Sequence, residues 1–343
     1  YRQALFIGIG FFLFFIIIHI PTKFYRGITY LLMFGIIGVL VALNIYGHVA
    51  NSAQSWFKIG GLSIQPSEFA KVIVIMFLAA YYEKKKEELD RWFVLIFPLL
   101  FVFVIFLLVA IQPDLGTALI IAGITFLIFM SLPLSRKVSR KISFSLVIIT
   151  LIFGLLFFVG SKYFLKSYQL GRFNFRDPCL RYQDDSGYQL CNSFIAFKNG
   201  GFTGQGIGKS TQKYLYLPES YTDFIFPIIV EEWGAWVGVI IVICYLFVIY
   251  RLYRIARRAT NLQGSILAYG VCVYVFLHVS INFIGVMGIG PLTGVPLPFL
   301  SYGGSYVISL FSAFGIAERV AIESAYQKEK TNKKRTKKRL SGN

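Results

Sequence analysis

Nine long apolar runs divide this chain, and each is close to the 20 residues with which an α-helix crosses the hydrocarbon core of a bilayer. The mean hydropathy is +0.66, and only 15% of the 343 residues are charged. The runs lack the alternation of membrane β-strands, so the backbone must satisfy its own hydrogen bonds as helices. The sequence therefore predicts an all-α polytopic integral membrane protein, with spans at about 4–20, 27–45, 65–82, 92–111, 115–131, 144–160, 224–250, 264–286 and 302–318.

The basic residues fall mainly on one side of this predicted topology. Most of the 34 Lys and Arg residues lie in the connections after the first, third, fifth and seventh spans and in the C-terminal tail. Such positive charge marks the cytoplasmic side. We therefore expect a single transmembrane domain over residues 1–327, a large extracytoplasmic loop over 161–223 between the sixth and seventh spans, and a basic cytoplasmic tail over 328–343 that lies against anionic lipid. The net charge of +18 follows from this topology, and we expect no nucleic-acid partner.

The parity of the spans bears on the N-terminus. Nine spans and a cytoplasmic C-terminus place Tyr1 outside, although the chain starts without Met and almost inside a helix. We expect one further span ahead of Tyr1, which gives ten in the intact protein. A native N-terminus on the outer side is the alternative.

Two of the four cysteines lie in the predicted outer loop. Cys179 and Cys191 are on the side of the membrane where disulfides persist. A bond between them would stabilise the loop by about 3 kcal/mol in the chain-entropy model. A disulfide and two free thiols both remain open, and no Cys/His cluster has the spacing of a zinc site.

One carboxylate, Asp223, stands where the polar loop enters the seventh span, next to Phe224, Ile225 and Phe226. Apolar surroundings disfavour a charged carboxyl group, which suits it to accept a proton. Asp is also common at helix N-caps. From the residues alone, Asp223 is either a general base or a cap.

Three other charged residues lie near predicted span ends. Glu68 and Lys71 are three residues apart, on one face of the third helix, and either pair with each other or leave Lys71 to contact a diphosphate. Asp114 either caps the fifth helix or positions a substrate or a divalent ion.

A glycine-rich segment, Gly204–Ser210, has some likeness to a phosphate-binding loop. The nucleotide motif requires glycine where this chain has Thr203. The segment is either a turn in the outer loop or a flexible backbone whose N–H groups approach a pyrophosphate or a sugar.

Four blocks of sequence on the predicted outer side resemble the SEDS family of bacterial shape, elongation, division and sporulation proteins. They occur in the family's order and cover nearly the whole chain: Trp56–Lys71, Gln112–Thr117, Gly206–Gly234 and Pro291–Ser305. The stretch Gln212–Glu219 is more similar to the division-type branch than to the elongation-type branch. The match departs from the family at Phe226-Pro227 and at Trp233.

The resemblance implies a peptidoglycan glycosyltransferase that polymerises lipid II into glycan strands at the outer face of the bacterial cytoplasmic membrane, at the division septum. The implied partners are lipid II, a class B penicillin-binding protein and other divisome membrane proteins. A divalent cation, Mg²⁺ or Mn²⁺, is left open as a cofactor. The rival functions are a flippase for the lipid-linked precursor and a non-catalytic division scaffold.

The resemblance also implies roles for individual residues. Asp223 aligns with the family's catalytic carboxylate, which takes the proton of the acceptor sugar's 4-hydroxyl group as that group attacks the anomeric carbon of the donor. Glu68 and Lys71 become a structural ion pair near the site. Six residues are expected to bind substrate or line the cavity: Trp56, Asp114, Arg172, Lys213, Glu219 and Ser301.

Overall fold

The computed structural model describes residues 2–46, 48–50, 53–59, 62–112, 114–136, 138, 177–183 and 185–340. The chain divides into two compact units, and the single transmembrane domain over 1–327 stays a prediction. Unit 1 comprises residues 1–131, 245–277 and 302–343, and unit 2 comprises residues 132–244 and 278–301.

Most of the described chain is helical, as predicted. The α-helices are α1 (Arg2–His19), α2 (Tyr25–Tyr46), α3 (Pro66–Lys84), α4 (Trp92–Ile111), α5 (Leu115–Met130), α6 (Asp185–Gly200), α7 (Thr211–Leu215), α8 (Ile225–Trp233), α9 (Ala235–Arg258), α10 (Leu262–Val286) and α11 (Gly304–Leu340). Within the described ranges, six helical segments are long and apolar enough to cross a membrane: Arg2–His19, Thr22–Ile45, Trp92–Ile111, Ala235–Arg258, Leu262–Val286 and Gly304–Lys333.

Seven predicted spans coincide with α1–α5, α10 and α11. The predicted sixth span, 144–160, lies outside the described residues, as do residues 161–176 of the predicted outer loop. The tail predicted to begin at residue 328 continues α11 as far as Leu340.

The all-α prediction missed a small antiparallel sheet between α2 and α3. Its strands, in the order β1-β2-β3, are β1 (His48–Ala50), β2 (Ala53–Ile59) and β3 (Leu62–Ile64). Trp56 lies on β2 opposite His48, and Phe57 lies opposite Ile64. The segments are too short to show a clear alternating pattern, and β2 was read as part of an outer connection.

In unit 1, α1 packs closely along α11. A Cβ on Gly10 would lie 2.7 Å from Phe311 Cδ2, and one on Gly304 would lie 2.5 Å from the ring of Phe6. Small residues of this kind let the backbones of membrane helices approach, so that packing supplies the affinity that hydrophobic burial supplies in water.

The most buried helix of unit 1 is α3, which packs against α2, α4, α5 and α11. Edge-to-face aromatic contacts join α2, α3 and α4: Tyr30 contacts Phe77, Phe77 contacts Phe101, and Phe101 contacts Phe34. Such pairs add about 0.5–1.5 kcal/mol each beyond burial. The third predicted span is thus a core helix that places its polar first turn at one end of the unit.

In unit 2, α8 packs between α6 and the end of α10. The ring of Phe226 on α8 lies 6.0 Å from that of Phe197 and 4.7 Å from that of Phe283. Cys179 and Cys191 form a disulfide that ties the short 3-10 helix Pro178–Arg181 to α6. These contacts pack α8, which begins just after Asp223, against α6 and α10.

The predicted seventh span, 224–250, is wrong as a single helix. The chain breaks at Gly234, which has φ 91° and ψ 166°. A Cβ on Gly238 would lie 3.0 Å from Val230 Cγ2 and 3.4 Å from Phe226 Cζ, so α8 lies beside the first turns of α9. Glu231 and Glu232, expected further along one continuous span, therefore stand on a short helix that folds back.

We expect Gly234→Ala to destabilise the protein by more than about 1 kcal/mol. The new Cβ would meet Phe202 O at 2.1 Å, and the backbone lies in a region that favours glycine. The control is Gly8→Ala, since a Cβ on Gly8 has no atom within 4 Å. Unfolding in detergent measures both variants, and equal stability of the two would contradict the strain at the break.

Candidate active site

The predicted site residues fall into two groups, one in each unit. Unit 2 holds Asp223, Glu219, Lys213 and Ser301, and unit 1 holds Trp56, Asp114, Glu68 and Lys71. Arg172 lies outside the described residues.

Asp223 stands at the end of a hydrogen-bonded turn that leads into α8. The amide N–H of Phe224 donates to Glu219 O at 3.2 Å, and that of Thr222 donates to the same oxygen at 3.3 Å. The N-cap position of α8 is Phe224. Asp223 therefore lies one residue before the N-cap position of α8.

Two buried side chains hold the consecutive main-chain carbonyl groups of Thr222 and Asp223. Ser301 Oγ donates to Thr222 O at 2.5 Å and accepts from Leu297 N at 2.7 Å. Asn282 Nδ2 donates to Asp223 O and to Val295 O, both at 2.8 Å. The backbone that carries the carboxyl group is therefore fixed to α10 and to the loop before α11.

The two carboxyl oxygens of Asp223 have different surroundings. Thr222 Oγ1 lies 2.8 Å from Oδ1. Gly294 lies close to Oδ2: a Cβ added to this glycine would be 3.8 Å from that oxygen. A pocket opens here, and its lining is Asp223, Phe224, Ile281, Asn282, Gly285, Val286, Leu292, Thr293, Gly294 and Val295. A carboxyl group between apolar and main-chain surfaces in a pocket has the setting of a proton-transfer group.

Glu231 organises the polar segment before Asp223. Its side chain is fully buried on α8. The carboxylate accepts from Asn199 Nδ2 at 3.0 Å, from Thr211 Oγ1 at 3.1 Å, from Gln212 N at 3.3 Å, and from Ser210 Oγ. Charge-assisted hydrogen bonds of this kind are the strong ones, so one carboxylate joins α6 and α7 to α8.

The glycine-rich segment pairs its backbone with the end of α8. The N–H groups of Gln205 and Gly206 donate to the carbonyl oxygens of Glu231 and Glu232, each at 2.9 Å. A Cβ on Gly204 would lie 2.4 Å from Glu232 O. These contacts favour the turn interpretation, because the amides that a pyrophosphate would need are bonded within the protein.

Lys213, expected to bind substrate or line the cavity, lies on α7 beside α8. Its Nζ is 3.5 Å from Glu232 Oε1 and lies over the ring of Tyr214. The side chain is about one quarter exposed. In this arrangement the ammonium group is paired within unit 2.

In unit 1, Glu68 and Lys71 form a buried ion pair in the first turns of α3. Lys71 Nζ lies 2.8 Å from Glu68 Oε2, and both side chains are nearly inaccessible. The same ammonium group lies 5.5 Å from the ring centre of Tyr274 and 5.8 Å from that of Tyr306. Aromatic faces attract a desolvated cation, so the charge of Lys71 is balanced within the unit.

Asp114 caps α5. Its Oδ1 accepts from Thr117 N at 3.1 Å, and its Oδ2 accepts from Gln65 Nε2 at 2.8 Å. Ser305 Oγ accepts from Gln65 N at 2.9 Å, which joins the start of α3 to α11. Trp56 lies on β2 and is half-buried. Across the described ranges, no three His, Cys, Asp or Glu side chains converge to hold a metal ion.

Two residues of this arrangement were missed from the sequence. Asn282 lies inside a predicted span, where a buried amide is a sign of function or of a required hydrogen bond. Thr222 adjoins Asp223 and carried no signal of its own.

The chain is similar to known proteins along most of its length. A family model described as "Cell cycle protein", which groups FtsW, RodA and SpoVE, matches residues 1–326. The chain belongs to the SEDS family. It is similar to "Probable peptidoglycan glycosyltransferase FtsW" of Bacillus subtilis (strain 168), with 39% identity over 91% of this chain and 76% of the relative.

Two further relatives are similar to this chain over most of its length. "Stage V sporulation protein E" of the same bacterium is 36% identical over 95% of this chain and 87% of its own length. The FtsW protein of Wigglesworthia glossinidia brevipalpis is 36% identical over 94% and 83%. These relatives place the chain with the division-type branch of the SEDS family.

A solved peptidoglycan synthase complex, described as coordinating polymerization and crosslinking, aligns with a TM-score of 0.77 at 26% identity, over 94% of this chain and 89% of that one. The rod shape determining protein RodA of Thermus thermophilus aligns with a TM-score of 0.66 at 23% identity, over 94% and 87%. The second likeness is one of fold alone.

We expect Glu231→Ala to lower the free energy of unfolding by about 3 kcal/mol, because it leaves four donors, two of them buried, without their acceptor. The matched control is its neighbour, Glu232→Ala, which removes one ion pair whose partner, Lys213, can reach water. Unfolding of both variants in detergent would test this. Equal losses would show that Glu231 does not organise the segment.

Proposed function

We propose that this chain is a peptidoglycan glycosyltransferase that polymerises lipid II, and that Asp223 accepts the proton of the attacking hydroxyl group. The names of its FtsW relatives support the activity. The observation that carries the role of Asp223 is its setting. Its backbone is held by Ser301 and Asn282, and its Oδ2 faces a pocket beside Gly294.

The chemistry requires one proton acceptor. The 4-hydroxyl group of the acceptor sugar forms a bond to the anomeric carbon of the donor, and the bond from that carbon to the diphosphate oxygen breaks. A general base removes the hydroxyl proton as attack proceeds. Diphosphate leaves without a proton, so the second carboxylate that glycosidases use as an acid has no necessary part. One fixed carboxyl group at a pocket is sufficient.

The site is proposed to open on the outer side of the bacterial cytoplasmic membrane. The basic connections Arg251–Arg258 and the tail after residue 328 support a cytoplasmic location for those segments. The segment 177–223 then lies on the outer side, where it could meet a lipid-linked sugar. We propose nine spans for this chain, action at the division septum, and a class B penicillin-binding protein as the partner that cross-links the product.

The flippase alternative requires charges that line a path across the membrane. Four charged residues in or near the predicted spans are candidates: Glu68, Lys71, Glu231 and Glu232. Glu68 and Lys71 pair with each other, and Glu231 bonds four donors within unit 2. Groups so engaged are better suited to structure than to transport, which favours the transferase.

We expect Asp223→Asn to reduce polymerisation by on the order of 10²-fold or more, because it keeps the shape of the side chain and removes the proton acceptor. Glycan strands made from lipid II by the purified protein in bilayers give the rate. Binding of lipid II should be retained.

The control for this experiment is Asp177→Asn, which makes the same chemical change in unit 2. Asp177 is exposed and has φ 45°, a conformation that Asn accepts readily. Its rate should stay within about twofold of wild type, as for surface changes away from a site. Near-normal turnover by Asp223→Asn would rule out the assigned role.

A further inference from the structure

Thr222 lies between two carboxyl groups. Its Oγ1 is 2.8 Å from Asp223 Oδ1 and 2.8 Å from Glu219 Oε2. Both distances are those of O–H···O hydrogen bonds. The three side chains come from one turn, whose backbone is closed by the N–H groups of Thr222 and Phe224 on Glu219 O. They therefore form a chain of three oxygens with two short gaps.

The number of protons in this chain decides what it can do. A hydroxyl group has one proton and can donate it to one acceptor at a time. With both carboxyl groups ionised, one of the two short gaps would hold no proton. The gap between Thr222 and Asp223 is filled when Asp223 takes up a proton while Thr222 donates to Glu219.

The two ends of the chain differ in position. Asp223 Oδ2 faces the pocket at Gly294, and its main-chain carbonyl group is held by Asn282. Glu219 is half-exposed and lies at the other end of the turn. One end thus faces the pocket, and the other can exchange a proton with water.

We propose that Asp223, Thr222 and Glu219 form a proton chain that carries the acceptor's proton away from the pocket. The proposal rests on the proposed function of Asp223. The hydroxyl O–H bond of the acceptor breaks, its oxygen bonds to the anomeric carbon, and the diphosphate leaves with the electron pair of the broken C–O bond. The proton enters at Asp223 Oδ2.

The remaining transfers run through hydrogen bonds present in the structure. The protonated Asp223 carboxyl group rotates to bring its proton to Thr222 Oγ1, which accepts it as the proton of Thr222 passes to Glu219 Oε2. Glu219 then releases one proton to water. Thr222 and Glu219 act through Asp223 and do not touch substrate, so they are positioning residues for proton transfer.

The test measures kcat and KM for lipid II polymerisation by the full chain in bilayers, for Thr222→Val, Thr222→Ser and Glu219→Gln. Val keeps the shape of Thr and removes the hydroxyl group, and we expect kcat to fall at least about 10-fold, the lower part of the range for proton-transfer groups. KM should stay within about threefold of wild type, since ground-state binding is unchanged. Thr222→Ser keeps the hydroxyl group and should retain most of kcat.

A double variant separates a shared chain from two independent structural effects. If Thr222 and Glu219 act in series, Thr222→Val with Glu219→Gln should lose no more kcat than the worse single variant, because parts of one unit are not additive. Independent effects would multiply. The matched control is Thr211→Val, which removes another Thr hydroxyl group that donates to a buried carboxylate in unit 2 and should leave kcat within about twofold.

Several results would overturn the proton chain. They are a normal kcat in Thr222→Val, a loss in Thr222→Ser as large as in Thr222→Val, or multiplying losses in the double variant. If Thr222→Val does not fold, Thr222→Ser and Glu219→Gln decide, and a normal kcat in Glu219→Gln overturns the chain. An inactive Asp223→Asn beside a normal Thr222→Val rejects only the chain. An active Asp223→Asn rejects the proposed function itself.

Discussion

The arrangement around Asp223 depends on hydrogen bonds that buried side chains make to its backbone. Ser301 binds the carbonyl oxygen of Thr222, and Asn282 binds that of Asp223. Each bond contributes only about 1 kcal/mol net, but breaking one would leave a buried group without its partner, which costs more. The carboxyl group is thus placed before substrate arrives, and no binding energy is spent on ordering it.

A second carboxylate, Glu231, holds the polar segment before Asp223 to α8. It gathers donors from α6, from α7 and from the residue before α7 onto α8. The break at Gly234 turns α8 back beside α9, which brings Glu231 next to the segment that it binds. A continuous helix would carry Glu231 away from that segment. The break at Gly234, with its positive φ, therefore keeps Glu231 beside its four hydrogen-bond donors.

The helices could be predicted because their cause is local. A run of about 20 apolar residues in lipid must satisfy its own backbone hydrogen bonds, and the predicted spans at α1–α5, α10 and α11 follow from that alone. The break at Gly234 has no such local cause. Gly234 follows an apolar helix and precedes another, and its φ is set by the approach of Phe202 O from a distant segment.

Only part of the candidate site could be predicted from the sequence. Asp223 could be named because a carboxyl group at the mouth of an apolar span is costly and the surrounding motif resembles that of the SEDS family. Asn282 and Thr222 could not be given roles, since these depend on carbonyl and carboxyl oxygens that only the fold brings near. Lys213 and Asp114 were expected at substrate, and the structure shows the partners that hold them, Glu232 and the first turn of α5.

The most direct test of the central claim is an experimental structure of the full chain with lipid II bound in its acceptor position. The account predicts that the 4-hydroxyl oxygen of the acceptor sugar lies at hydrogen-bond distance, roughly 2.6–3.2 Å, from Asp223 Oδ2. The sugar should lie at the mouth of the pocket beside Gly294. An acceptor sugar bound with its 4-hydroxyl group beyond the reach of Asp223, even through one bridging water, would contradict the account.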